Sequence, residues 1–319
     1  MHILAIPHDS SAPRSDQSSL SVAYSVAVVG WMLSAGVYIA AKWANAEMPP
    51  WALCFWRLAL ACLILLPVVR HQLPAMAKLL RTRPLELFIV AGLGLTFCQG
   101  LIYIGLQYTD ATTAGIIMAL SPIITLVLAH LILGEAMGPW QGIGAVIALA
   151  GMVVIVAHGD IAALMRLEIS AGELLIVCSA LFWGLYTVLL RRFKFGIERL
   201  PLLVLLLGTG AVVALPLYGW ELMSDERSAL DGNGLLALAY VAGPGGALMY
   251  YIYNSSVDAL GPSRAGMLLY LQTAFVALLA YVFLGESLHS YDLLGAAIIV
   301  AGIVLATMLR PKPAVGTAR

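Results

Sequence analysis

Apolar runs of about twenty residues recur along the whole chain. In lipid, only α-helices or a closed β-barrel leave no backbone polar group stranded. The runs lie near 21–43, 51–69, 84–106, 112–133, 139–158, 171–192, 199–220, 234–257, 264–284 and 290–309. Barrel strands would alternate polar and apolar residues with period two. Ile143–Val156 and Ala296–Met308 do not alternate, so the chain reads as an all-α polytopic membrane protein with ten transmembrane helices. Composition agrees: 61% of the 319 residues are hydrophobic and 11% are charged, against about 45–50% and about 25% in soluble domains. A soluble enzyme, a nucleic-acid-binding protein and a disordered chain are excluded. With 17 Lys+Arg against 17 Asp+Glu there is no basic field to attract nucleic acid.

Charge distribution orients the runs. With the N-terminus inside, 13 Lys and Arg fall inside, including Arg70, Lys78, Arg81, Arg83, Arg191, Arg192 and Lys194. Three fall outside (Lys42, Arg166, Arg227), and Arg57 lies within the second run. This bias favours an even helix count with both termini cytoplasmic. The polar residues 1–20 read as a disordered cytoplasmic tail, and 310–319 as another. No signal-peptide pattern opens the chain.

The chain repeats itself. Offset by 151 positions, residues 85–151 match 236–302 at 19 of 67 positions without a gap, where chance in so biased a composition gives roughly one in ten. Val90-Ala91-Gly92 lies over Val241-Ala242-Gly243, and Leu133-Gly134-Glu135 over Leu284-Gly285-Glu286. The units are 21–158 and 171–309, five helices each. Five is odd, so the second enters the membrane from the opposite side. Inverted repeats of this kind build transporters, because two like units can exchange slightly different shapes around a central site.

The paired five-helix units and the Leu-Gly-Glu ends of the fourth and ninth runs resemble the drug/metabolite transporter superfamily with its EamA domains. So do Trp183-Gly184-Leu185-Tyr186 and Phe55-Trp56-Arg57-Leu58-Ala59. The first run departs, with Ala35-Gly36 where many members have Trp-Gly. Within the superfamily the chain looks most like YddG-type exporters of aromatic and other neutral amino acids. The resemblance implies alternating access, a small-molecule substrate, a lipid environment, and a monomer or homodimer.

Repeat symmetry points to a pathway. Polar side chains in mid-membrane tend to face the bundle interior or a wet cavity. Gln99 and Tyr103 share one face of the third run, and their mates at +151 are Tyr250 and Asn254. Ser121 corresponds to Gln272, and an offset of 148 pairs Tyr38 with Tyr186. Trp183 and Tyr270 add aromatic surface and Met118 a soft wall. This neutral, aromatic, hydrogen-bonding set suits a partly apolar zwitterion. Each residue alone also fits an interhelical bond or plain packing. Arg57 reads as a helix tie, an interfacial group or a contact for a carboxylate.

No Asp or Glu lies deep in any run, which favours facilitated or weakly coupled movement over a proton pump. The alternative substrates are sugar phosphates or nucleotide sugars, but phosphate calls for paired cations. The six His and four Cys show no metal spacing, no CxxC pair and no Ser/His/Asp arrangement, so neither cofactor, metal nor enzyme activity is expected. Glu135 and Glu286 read as loop anchors. Gly243-Pro244-Gly245-Gly246 and Pro122 predict bends in the eighth and fourth helices, with Gly92-Leu93-Gly94 the unkinked counterpart of the former. Gly144 with Gly151, and Gly295 with Gly302, form small-residue faces for close packing, against this bundle or a second copy.

Overall fold

The structure is a computed structural model that describes residues 17–45, 47–135, 137–159, 170–224, 232–260 and 269–308. The rest of both tail regions lies outside these. A helix lies over each apolar run, and no strand occurs among the described residues. Among the described residues, seven helices are long and apolar enough to cross a bilayer, or eight if one bent pair counts as a single span; Leu271–Leu284 and Ser290–Leu305 are shorter. The outer surface carries Leu131, Val146 and Leu236, each about two-thirds exposed or more (71%, 66% and 70%). Such a surface is stable only against lipid.

Local chemistry sets the helix ends. Pro50, Pro84 and Pro139 open helices, where a missing N–H costs nothing. Gly134 and Gly285 end the fourth and ninth helices at φ 68° and 67°, a left-handed conformation that favours glycine. The second helix departs from the expected run. It stops at Leu65, and Arg70–Thr82 turns away by 92°. That segment is amphipathic, with Met76 and Leu79 buried and Lys78 and Arg81 exposed. Its charges cannot follow the apolar run into lipid, so it lies across the end of the bundle.

The third helix, expected to be unkinked, departs from regular α-helix. Gly92–Phe97 forms a π-helical turn, and so does Gly243–Leu248, with the offset of 151 kept at both ends. Proline therefore does not cause the deviation, because the third helix has none there; the shared glycines permit it. The fourth helix does break at Pro122, into Ala111–Met118 and Ser121–Leu133. The break is no sharp bend, since among the described residues Pro50–Leu65 with Arg70–Thr82 is the one pair bent by more than 40°.

The halves interlace. The first helix packs on the eighth and ninth, and the sixth packs on the third and fourth. The second meets its mate the seventh, and the fifth meets its mate the tenth. The small-residue faces are partners of each other. A Cβ on Gly151 would stand 2.8 Å from the Gly295 carbonyl oxygen, and one on Gly302 would stand 2.5 Å from that of Gly144. Only glycine lets these backbones approach so closely.

Candidate functional site

The centre of the bundle is built around Arg57, which is only 5% exposed. Its guanidinium donates to Gln99 Oε1 and, at 2.7 Å, to the Tyr103 hydroxyl. Gln99 and Tyr103 share a face of the third helix, as the spacing predicts. Tyr250, the repeat mate of Gln99, lies with its ring centroid 6.0 Å from the guanidinium carbon. Tyr38 is buried within electrostatic reach of Arg57, Tyr103 and Cys98. Asn45 fixes the third helix by donating at 2.7 Å to the Tyr103 carbonyl.

Tyr186 closes the aromatic side. A Cβ on Gly94 would fall 2.2 Å from its ring, so the π-turn and the missing side chain together make room for it. Trp183 packs on Tyr186 with ring centroids 5.1 Å apart. Thr96 donates to the Gly210 carbonyl at 2.8 Å, and Ser179 to the Cys98 carbonyl at 2.7 Å. These two bonds brace the irregular turn against the seventh and sixth helices.

Arg57 has no carboxylate partner among the described residues, and its Nε is buried without a hydrogen bond. An unpaired buried cation is costly, more so at membrane depth. The two tyrosines and the glutamine offset part of that cost with neutral acceptors and a ring face.

Among the described residues, Ser121, Met118, Asn254 and Gln272 make no hydrogen bond to Arg57. Ser121 donates to the Met118 carbonyl at 2.6 Å. Pro122 has no N–H to give that carbonyl, so the hydroxyl repairs the helix break rather than presenting its proton to a ligand. Met118 is half-buried beside it. Asn254 donates back to the Tyr250 carbonyl at 2.8 Å. Gln272 is half-buried on the ninth helix, next to Thr273, which donates to the Gly115 carbonyl at 3.3 Å. The Tyr270 side chain lies outside the described residues.

Three buried or half-buried carboxylates take fixed partners in the fold, and of these the sequence singles out only Glu286, as a loop anchor. Glu221 on the seventh helix accepts from Trp51 N at 3.0 Å and Ala52 N at 2.9 Å, which caps the second helix. Glu286 accepts from Ala111 N at 3.0 Å, Thr112 N at 3.0 Å, Thr112 Oγ1 at 2.9 Å and Lys42 Nζ at 3.0 Å. Lys42 also reaches Asp110 at 3.2 Å and the Thr109 carbonyl at 3.1 Å. Burial pushes the Glu286 carboxyl up, but the Ala111 and Thr112 N–H groups and Lys42 outweigh it and hold it below the usual range. Glu173, 1% exposed, takes a hydrogen bond from His158 Nε2 at 2.8 Å. Acidic residues at apolar-run ends were the available signal; their partners, up to 244 positions away, were not.

Known proteins resemble the chain over most of its length. The uncharacterized transporter YyaM of Bacillus subtilis is 24% identical over 269 residues, 84% of this chain and 87% of that protein. An uncharacterized inner membrane transporter of Salmonella typhimurium, YicL, is 26% identical over 89% of this chain and 93% of its own. A riboflavin transporter of Rhizobium johnstonii is 27% identical, covering 90% and 93%. One crystal structure superposes with a TM-score of 0.62 at 21% identity, over 91% of this chain and 97% of that one, so the fold is shared. The model of the EamA-like transporter family matches residues 21–157 and 170–308. With two such segments spanning nearly the whole helical bundle, this chain belongs to the EamA-like transporter family and is a multi-pass membrane protein that moves small molecules.

Proposed function

We propose that this protein exports aromatic and other neutral amino acids, or similar small metabolites, by alternating access, with ten crossings and both termini cytoplasmic in an inner membrane. Arg57 is the observation that carries this reading. A buried cation without a carboxylate partner, ringed by Gln99, Tyr103 and Tyr250, is completed by one anionic group on the cargo. A single carboxylate matches a single guanidinium. Tyr38, Trp183 and Tyr186 supply the aromatic wall, and the route beyond is assigned to Met118, Asn254 and Gln272. Sugar phosphates fit less well, because Lys42 is already bound to Glu286 and Asp110 and offers no second free cation. The likeness to a riboflavin transporter makes a neutral flavin the second cargo worth testing.

The test uses proteoliposomes loaded with labelled L-phenylalanine, with unlabelled phenylalanine, riboflavin or a hexose phosphate outside. Counterflow should occur with phenylalanine, and Arg57→Gln should reduce it at least tenfold in protein that stays monodisperse. A pH gradient should change neither rate nor accumulation. Exchange of the hexose phosphate with no movement of phenylalanine would falsify the proposal.

A further inference from the structure

A second site lies at the Lys42 end of the bundle, away from the Arg57 cluster. A cavity of about 430 Å³ opens between the ends of the first, third, fifth and sixth helices and the start of the tenth. Lys42, Tyr108, Asp110, His158, Glu173 and Tyr291 line it. The sequence explains part of this arrangement. Ser170 caps the sixth helix, accepting from Gly172 N at 3.2 Å, and Glu173 stands three residues on, in the first turn. The tight approach of Gly172 to the Gly105 carbonyl, 2.7 Å from an added Cβ, draws this helix start against the third helix.

The charges in the cavity do not balance. Lys42 is engaged by Glu286, Asp110 and the Thr109 carbonyl. Glu173 is 1% exposed; His158 meets Oε1, while Oε2 is buried with no hydrogen-bond partner. A buried carboxylate oxygen without a donor is costly. Aromatic groups stand beside it: Tyr291 stacks on His289 with centroids 5.0 Å apart and tilts on His158 at 5.5 Å. An anionic ligand would meet Glu173, Asp110 and the nearby Glu286. A metal ion would want at least three closely set oxygen or nitrogen ligands, and no such group of His, Cys, Asp and Glu occurs among the described residues. What fits is a compact cation that donates hydrogen bonds and tolerates ring faces.

We propose that this cavity binds a primary ammonium group on a small organic body, with Glu173 as its counter-ion, His158 as the residue that positions Glu173, and Tyr108 and Tyr291 as the flanking rings. The site is separate from Arg57 and does not depend on which cargo crosses the membrane.

The experiment measures binding, not transport, on the full chain in nanodiscs. Phenethylamine is the probe, with phenethyl alcohol and 3-phenylpropionate as its uncharged and anionic counterparts. The amine should bind at least tenfold more tightly than either. Glu173→Gln should remove that preference, and Arg57→Gln should leave it unchanged. Because Glu173 helps to start a helix, a second measurement keeps the native carboxylate. In Gln107→Cys, on the cavity wall, maleimide labelling read by mass spectrometry should slow at least threefold with phenethylamine present. Equal affinity for the alcohol, unchanged binding in folded Glu173→Gln protein, or no protection of position 107 would each overturn the proposal. Failure of phenylalanine to move in proteoliposomes would leave it standing.

Discussion

Leu133-Gly134-Glu135 and Leu284-Gly285-Glu286 are the same three residues in the two repeats, and their backbones agree closely. Glu135 N donates to the Ala129 carbonyl at 3.4 Å, and Glu286 N to the Ala280 carbonyl at 3.3 Å, again 151 positions apart. Their side chains do opposite things. Glu286 is 9% exposed, caps the fourth helix and holds Lys42. Glu135 is 51% exposed and lies 3.8 Å from Arg191. Local sequence dictates the turn, and the packing around it dictates whether the carboxylate ties two elements together. On the proposed alternating-access reading, one tied end and one loose end are what a single state of such a carrier contains.

The comparison can be broken most directly at Glu286. Glu286→Ala removes four acceptor contacts from a half-buried helix start and leaves Lys42 with Asp110 and the Thr109 carbonyl, at a cost of about 2–4 kcal/mol. The melting temperature in detergent should fall by several degrees; a change within error would mean the clasp carries no weight. The same carboxylate sets a pH dependence. Its folded pKa lies below its ordinary value of 4.5, so the unfolded chain binds the proton more readily. The stabilisation is complete above that ordinary value and is lost as pH falls through the lowered one. Melting curves between about pH 6 and pH 3 should show a loss in wild type that Glu286→Gln lacks.

The glycine crossing is the symmetric control. Gly151→Ala and Gly302→Ala each push a Cβ into backbone atoms of the partner helix, at 2.8 Å and 2.5 Å. Each should cost about 1–3 kcal/mol, and the two should match. A large inequality would show that the halves are not equivalent even there. Lys42→Met should cost less, about 1 kcal/mol, because Ala111 and Thr112 still donate to Glu286. Smallest is Glu135→Gln, within about 0.5 kcal/mol for an exposed pair. An effect as large as that of Glu286→Ala would erase the distinction between the ends.

Much of the helical layout was legible in the residues. Runs of apolar side chains must be helical in lipid, and Gly134 and Gly285 end helices wherever they stand. The shared face of Gln99 and Tyr103 follows from a spacing of four. Other features were not legible. The π-turn at Gly92–Phe97 carries no proline to announce it, and it is permitted by glycines, one of which, Gly94, packs against Tyr186 some ninety positions on. Ser121 looked like a ligand contact because it is polar and central, but its neighbour Pro122 orphans the Met118 carbonyl and claims the hydroxyl.

By itself, then, the sequence determined where the chain is helical, where the helices stop and that two like units are joined, because these depend on side-chain hydropathy and backbone freedom within a few residues. Tertiary structure alone decided which polar groups found partners. Arg57 meets the third and eighth helices, Lys42 meets Glu286 across 244 positions, and Glu173 keeps one oxygen without a donor. Hydrogen bonds and ion pairs act over a few ångströms, so their energy is set by how the helices pack and not by distance along the chain.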